Sequence, residues 1–150
     1  MALTVKDLET MQAQHPDYRL ELVDGKIRSM GTLAQYILDR RIPLEMCLSS
    51  NVHTGAVASL EAHPFRAYFD RGFRVTLNTD DRLMSDTSMS KELEIATGNF
   101  DLTLADLEKI TLNSIKSAFI DFDTRLKLIY ETIKPAYTAV RSSVQTQQGY

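Results

Sequence analysis

The feature that most constrains this chain is the run RVTLNTDD at residues 74–81. Apolar and polar residues alternate in its first half, which predicts a strand with one buried face. The next two residues favour a turn, so Asp80 and Asp81 are expected just past the strand's carboxyl end. In α/β architectures ligands bind and chemistry occurs at that rim. Adjacent carboxylates repel unless a cation, a shared proton or a donor-rich ligand is present, although a solvated acidic turn before a helix would read the same way.

Composition bounds the class of protein. The chain has 150 residues, 43% of them hydrophobic and 25% charged, enough for one domain with one core. Its net charge of -3 comes without a basic stripe, which argues against a nucleic-acid partner. The single cysteine, Cys47, cannot pair within the chain. Since no apolar run approaches a membrane span and the start lacks a signal-peptide layout, we expect a cytoplasmic protein without a membrane partner.

The first segment differs in character from the rest. Residues 3–14 predict a helix, and residues 18–23 alternate as a strand does. Asp24-Gly25 is a two-residue hairpin signal, followed by a return strand that is predicted to stop near Arg28. Helical spacing begins abruptly after that, so we expect residues 1–29 to be a helix plus β-hairpin segment of different origin from residues 30–140.

Strands and helices alternate in residues 30–140. A strand over 42–48 is predicted to end in a polar turn at 49–51, and a helix is predicted to begin near His63-Pro64, with Gly72 as its cap. After the strand at 74–77, helices are predicted near 88–97 (closed by Gly98), over 103–117 and over 123–137. The last two of these helices have predicted core stripes: Leu104, Leu107 and Ile110 in the first, and Leu126, Ile129, Tyr130 and Ile133 in the second. The tail, residues 141–150, is predicted to be disordered.

This order implies parallel strands with right-handed crossovers, which puts the turn at 49–51 and the paired aspartates on one rim. Only two such strands are visible, whereas a complete eightfold barrel takes about 250 residues. We therefore predict an α/β fold: a partial (β/α) barrel comprising the last two β/α units and the C-terminal helices, preceded by a short helix and a β-hairpin.

Four motifs in order carry a family resemblance: EMCLSSN at 45–51, His63-Pro64, LNTDD at 77–81, and the helix from Asn113 to Phe119. With them, the stretch from about residue 30 to 140 resembles the C-terminal part of adenosine deaminases, zinc-dependent hydrolases that convert adenosine to inosine and ammonia by acting on a C–N bond in a cyclic amidine. The family acts in purine metabolism.

The resemblance implies roles for both aspartates. Asp80 corresponds to a ligand of the family's Zn²⁺ cofactor, which lowers the pKa of a bound water to about 7. Asp81 corresponds to the residue that hydrogen bonds the ring nitrogen N7 of the purine nucleoside substrate. Leu48 and Arg82 stand where the family often has proline, a difference that concerns loop shape rather than reacting groups.

The family's remaining catalytic groups have no counterpart in this sequence. They are a His-x-His pair, a third histidine, a further histidine and a glutamate that acts as general acid and base. The histidines here are His15, His53 and His63, of which His53 could face the cleft but is more readily a solvated loop residue. Cys47 reads as an inert buried thiol. A catalytic zinc takes three protein ligands, so we assign no catalytic residue and expect the chain alone to be inactive.

Residues 2–27 resemble the opening of a widespread family of predicted nucleases with a restriction-endonuclease-like fold, chiefly through the ELVDG run at 21–25. That family's later Asp and Glu-x-Lys metal motif is missing, so Glu21 and Asp24 are interpreted as hairpin residues. Three functions stay open: an adenosine deaminase or part of one, a non-enzymatic fusion or remnant that binds a complementing chain through uncovered strand edges, and a nuclease variant.

Overall fold

The computed structural model describes residues 4–14, 18–23 and 26–147. The chain divides into two compact units, Met1–Ile42 and Pro43–Tyr150. Each unit has its own strands and helices. None of the helices in these ranges is long and apolar enough to cross a membrane.

The first unit is a hairpin with a helix on either side of it in sequence. Its elements are α1 (Val5–Gln14), β1 (Tyr18–Val23), β2 (Lys26–Gly31) and α2 (Thr32–Asp39). The strands pair antiparallel, with Tyr18 opposite Gly31 and Val23 opposite Lys26. The predicted helix and hairpin are thus present, but the return strand runs three residues beyond Arg28, because it pairs along the full length of β1. The predicted Asp24-Gly25 turn and His15 lie outside the described residues.

The second unit begins with the two predicted parallel strands. Its first elements are β3 (Pro43–Met46), α3 (Leu48–His53), α4 (Phe65–Asp70) and β4 (Arg74–Leu77). The strands pair in parallel, with Pro43 opposite Arg74 and Met46 opposite Leu77. Gly72 has φ +82°, a conformation that costs glycine little and lets the chain leave α4 for β4 within a few residues.

Helices complete the second unit. They are α5 (Met89–Phe100), α6 (Leu104–Ser117), α7 (Phe122–Lys127), a π-helical turn (Leu128–Ile133) and α8 (Lys134–Gln147). Thr103 and Asp106 form a capping box at the start of α6, where the sequence predicted a helix start. The helix predicted over 123–137 is one continuous helical stretch from α7 to α8. Helix α8 reaches Gln147, and residues 148–150 lie outside the described residues. The disorder predicted for residues 141–150 stays a prediction.

The core of the second unit surrounds β4. Val75, Thr76 and Leu77 are all buried, so the prediction that only one face of this strand is buried was wrong: neighbouring elements cover both faces. Helix α6 packs on β4, and the Asn113 side-chain amide donates to the Val75 carbonyl oxygen at 3.0 Å. The buried apolar side chains are Met46, Leu48, Phe65, Phe69, Phe73, Val75, Leu77, Ala96, Phe100, Ile110 and Ile129.

Two predictions about the helices fail: the predicted end of α5 and part of the predicted core stripe in the last helices. Gly98 does not end its helix: α5 continues to Phe100, whose ring lies 5.0 Å from the Phe65 ring, centroid to centroid, and packing of this aromatic pair outweighs the low helix propensity of glycine. Of the stripe predicted in the last helices, Ile129 is buried, but Tyr130 is 60% exposed and Leu126 is at the border of exposure.

Candidate functional site

The carboxyl ends of β3 and β4 bring together the motifs at residues 45–51 and 77–81. The Ser50 hydroxyl donates to Asp80 Oδ2 at 2.8 Å, across 30 residues of sequence. Parallel pairing causes this proximity, because it places both strand ends at the same edge of the sheet. The prediction of a shared rim is therefore confirmed, although residues 49–51 form part of α3 rather than a turn. Helical bonding from Asn51 N–H to the Cys47 carbonyl oxygen, at 2.7 Å, replaces the expected turn.

The two aspartates occupy different local environments. Asp80 is exposed and has φ +51°, a left-handed conformation that aspartate tolerates better than most residues. Asp81 is also exposed, and its Oδ1 accepts the backbone N–H of Met84 at 3.2 Å. Asp81 thus caps the turn that follows β4, the structural role that an acidic turn was expected to have. One carboxylate oxygen of each aspartate accepts a hydrogen bond from the chain.

A carboxylate that the sequence did not single out lies beneath this rim. Glu92, on α5, is fully buried. Its Oε2 accepts the backbone N–H of Ser49 at 3.3 Å, and its Oε1 accepts the Thr87 hydroxyl at 2.7 Å. Glu92 shares one face of α5 with the buried Ala96 and Phe100, four and eight residues later, whereas Glu94 lies on the exposed face. This spacing was the available signal, and sequence reasoning did not use it.

His63 is part of the core rather than of a ligand cluster. Its Nδ1 accepts the backbone N–H of Phe65 at 3.1 Å, so in the neutral ring Nε2 carries the proton and donates to Asn51 Oδ1 at 3.0 Å. Burial lowers the pKa of His63, and the Glu92 charge raises it to a lesser extent. The imidazole therefore holds the C-terminal half of α3 against the start of α4.

Cys47 lies between β3 and α3 and is partly exposed, so the sequence interpretation of a buried thiol holds only in part. Desolvation, followed by the charges of Asp80, Glu92 and Glu45, raises the pKa of Cys47 to about 11. A thiol with that pKa is almost entirely protonated at neutral pH and is a poor metal ligand or nucleophile.

The described residues do not build a complete zinc site. Within residues 4–14, 18–23 and 26–147, no group of three or more His, Cys, Asp or Glu side chains could hold a metal ion. His53 ends α3 and is exposed. Because a catalytic zinc needs three protein ligands, Asp80 fits such a site as one ligand only. The metal role of Asp80 and the purine role of Asp81 stay predictions.

The family and the fold are evident from related proteins. The sequence model of the adenosine deaminase family matches residues 7–135. The adenosine deaminase of Mycobacterium ulcerans is 51% identical over 118 residues, which are 79% of this chain and 32% of that protein. The chain therefore spans about a third of the length of the curated relatives it matches. The comparisons give no support to a nuclease-like start, and the family match begins inside the segment, residues 2–27, for which that resemblance was inferred.

Solved structures agree on the fold. An adenine deaminase from Arthrobacter aurescens superposes with a TM-score of 0.66 at 23% identity, covering 69% of this chain and 32% of that one. A zinc-bound amidohydrolase from Burkholderia ambifaria superposes with a TM-score of 0.64 at 23% identity, covering 75% and 31%. These are barrel proteins, so the predicted partial (β/α) barrel is confirmed. With a family match over most of its length, the chain belongs to the adenosine deaminase family.

Proposed function

We propose that this chain supplies the aspartate-bearing rim of a purine nucleoside aminohydrolase site, with Asp80 as a ligand of Zn²⁺ and Asp81 as a contact to the purine. The observation that carries the proposal is the Ser50–Asp80 hydrogen bond at the carboxyl ends of a parallel strand pair. Carboxylates that bind metals are themselves held by hydrogen bonds, which orient the remaining lone pairs toward the ion. Zinc bound by an amidohydrolase of the same fold supports the choice of metal.

Asp80 is a single ligand, and the described residues hold no group of three or more His, Cys, Asp or Glu side chains that could complete a zinc site. We expect the chain by itself to leave adenosine unchanged. A purine nucleoside as substrate, a cytoplasmic location and a separate origin for residues 1–29 belong to the same proposal.

A chimera tests the roles of the two aspartates. Residues 43–140 would replace the matching stretch of the Mycobacterium ulcerans adenosine deaminase, whose remaining length we expect to supply the groups absent here. Asp80→Asn should lower zinc affinity and activity by at least the roughly 10- to 100-fold that follows loss of a supporting contact. Asp81→Asn should weaken activity while leaving bound zinc in place. Asp86→Asn is the matched control, since Asp86 is exposed in the same loop and also has a left-handed backbone.

Inosine formation and zinc content per chain are the measurements. An Asp80→Asn chimera that keeps full activity and zinc would contradict the assignment of Asp80. In a second experiment, the purified chain is incubated with zinc and adenosine, and inosine formation is followed. Turnover at an ordinary enzymatic rate by the chain alone would contradict the expected inactivity.

A non-enzymatic, partner-binding role is the second candidate, and exposed apolar surface favours it. Leu83 is 91% exposed and Met84 83% exposed, both just after the paired aspartates, and Phe119 is fully exposed. Phe119 also lines a cavity of about 390 Å³ beside β3, β4 and α6. Size-exclusion chromatography with amide exchange tests this role: a well-protected monomer with no tendency to associate argues against it.

A further inference from the structure

Two segments meet at the Ser50–Asp80 hydrogen bond, and a single buried side chain holds both of them. Ser50 follows Ser49, whose backbone N–H donates to Glu92 Oε2. Asp80 lies in the loop between β4 and α5, as does Thr87, whose hydroxyl donates to Glu92 Oε1. The contacts close a ring from Glu92 through Ser49 and Ser50 to Asp80, then along the loop to Thr87 and back.

The burial of Glu92 makes this ring specific. Removing a carboxylate from water is strongly unfavourable unless hydrogen bonds compensate it, and Glu92 is fully buried. Each of its two oxygens uses a donor from a different segment. Its own helix α5 packs against α3, so Glu92 is anchored independently of the loop. Asp80, in contrast, is exposed, and its backbone is in the left-handed region that few residues favour.

We propose that Glu92 is a positioning residue: it sets the orientation of the Asp80 carboxylate by fixing Ser49 and Thr87 on either side of the Ser50–Asp80 hydrogen bond. The inference rests on the proposed function, because a fixed Asp80 orientation matters for chemistry only if Asp80 binds the metal. It assigns to Glu92 no contact with substrate or metal.

Glutamine provides a conservative substitution at this position. In Glu92→Gln the carboxamide oxygen can accept the Ser49 N–H, while the carboxamide NH₂ donates to Thr87 Oγ1, since a hydroxyl can reverse its role. Glu92→Gln therefore keeps both tethers and removes the charge. Glu92→Met has a similar length but removes both acceptors. Comparing Glu92→Gln with Glu92→Met therefore distinguishes the effect of the two hydrogen bonds from the effect of the negative charge.

The experiment measures the χ1 rotamer of Asp80 by NMR three-bond couplings in the full chain, without metal or purine, alongside urea unfolding of each variant. The chain and Glu92→Gln should show one dominant Asp80 rotamer, and Glu92→Met should show rotamer averaging. Thr87→Val, which removes one tether and preserves shape, should also increase averaging, and it carries the test if Glu92→Met does not fold. Glu94→Met, on the exposed side of α5, is the matched control and should change nothing.

Three results would overturn the inference. One is an Asp80 rotamer that stays fixed in Glu92→Met or Thr87→Val while stability falls, which would make Glu92 merely structural. Another is averaging in Glu92→Gln equal to that in Glu92→Met. The third is averaging already in the unsubstituted chain. Because the readout needs no ligand, its failure is distinguishable from failure of the proposed function, which the chimera's activity and zinc content decide.

Discussion

The Cys47 thiol lies near three carboxylates, and its pKa of about 11 has a measurable consequence. Near pH 8 its thiolate population should be about 100-fold below that of a thiol with the ordinary value of 9.0, and the greater nucleophilicity of a more basic thiolate recovers up to about tenfold of this. We expect iodoacetamide to react with Cys47 at least about tenfold more slowly in the folded chain than in urea. The rate should still be rising with pH above about pH 10. Equal rates in the two states would contradict the raised pKa.

His63 should make stability depend on pH. Burial lowers its folded-state pKa below 6.5, so in the unfolded chain it binds a proton at a higher pH than in the folded chain. The stabilisation is complete above the unfolded value and is lost as pH falls below about 6.5. We expect the free energy of unfolding to rise between about pH 5 and 7, with a smaller rise in His63→Gln. His53→Gln, at the exposed end of α3, is the control and should keep the slope; an unchanged slope in His63→Gln would count against the lowered pKa.

At the scale of elements, the side chain of Asn113 fastens α6 to β4. Its amide donates to the Val75 carbonyl oxygen at 3.0 Å, in a buried position. Asn113→Ala should lower the free energy of unfolding by about 1–3 kcal/mol, because the buried carbonyl loses its partner. Ser114→Ala is the control, since the Ser114 hydroxyl donates only to the Ile110 carbonyl oxygen within its own helix. Urea unfolding measures both, and similar losses would show that the contact to β4 contributes nothing particular.

The elements were predictable where local signals and packing agree. Thr103 with Asp106 marks the start of α6, and the alternation at 74–77 marks β4. Prediction failed where tertiary contacts outweigh local preference. Gly98 stays inside α5 because Phe100 packs on Phe65. The SSN stretch at 49–51 was predicted to be a turn, but it is helical. Leu48, just before it, is buried, and Glu92 accepts the backbone N–H of Ser49 in the first turn of α3.

For the molecule as a whole, sequence reasoning located the rim but not what supports it. Family motifs identified Asp80 and the segment around Ser50, and parallel pairing explains why they meet. Glu92 was missed although it shares a helix face with Ala96 and Phe100, because glutamate is ordinarily exposed and its burial here depends on how α5 packs against α3. A site residue that lies in a family motif is thus supported by a residue that lies in none of the motifs.

The boundary between units gives the last prediction. The sequence predicted a junction at residues 29 and 30, whereas contacts divide the chain between Ile42 and Pro43. The two boundaries differ in where they assign α2, which contacts both strands of the hairpin. If α2 belongs with the hairpin, chains 30–150 and 43–150 should unfold at the same urea midpoint, because α2 stabilises nothing in the second unit. A higher midpoint for 30–150, measured by circular dichroism at equal concentration, would instead support the junction at residue 30 and attach α2 to the barrel portion.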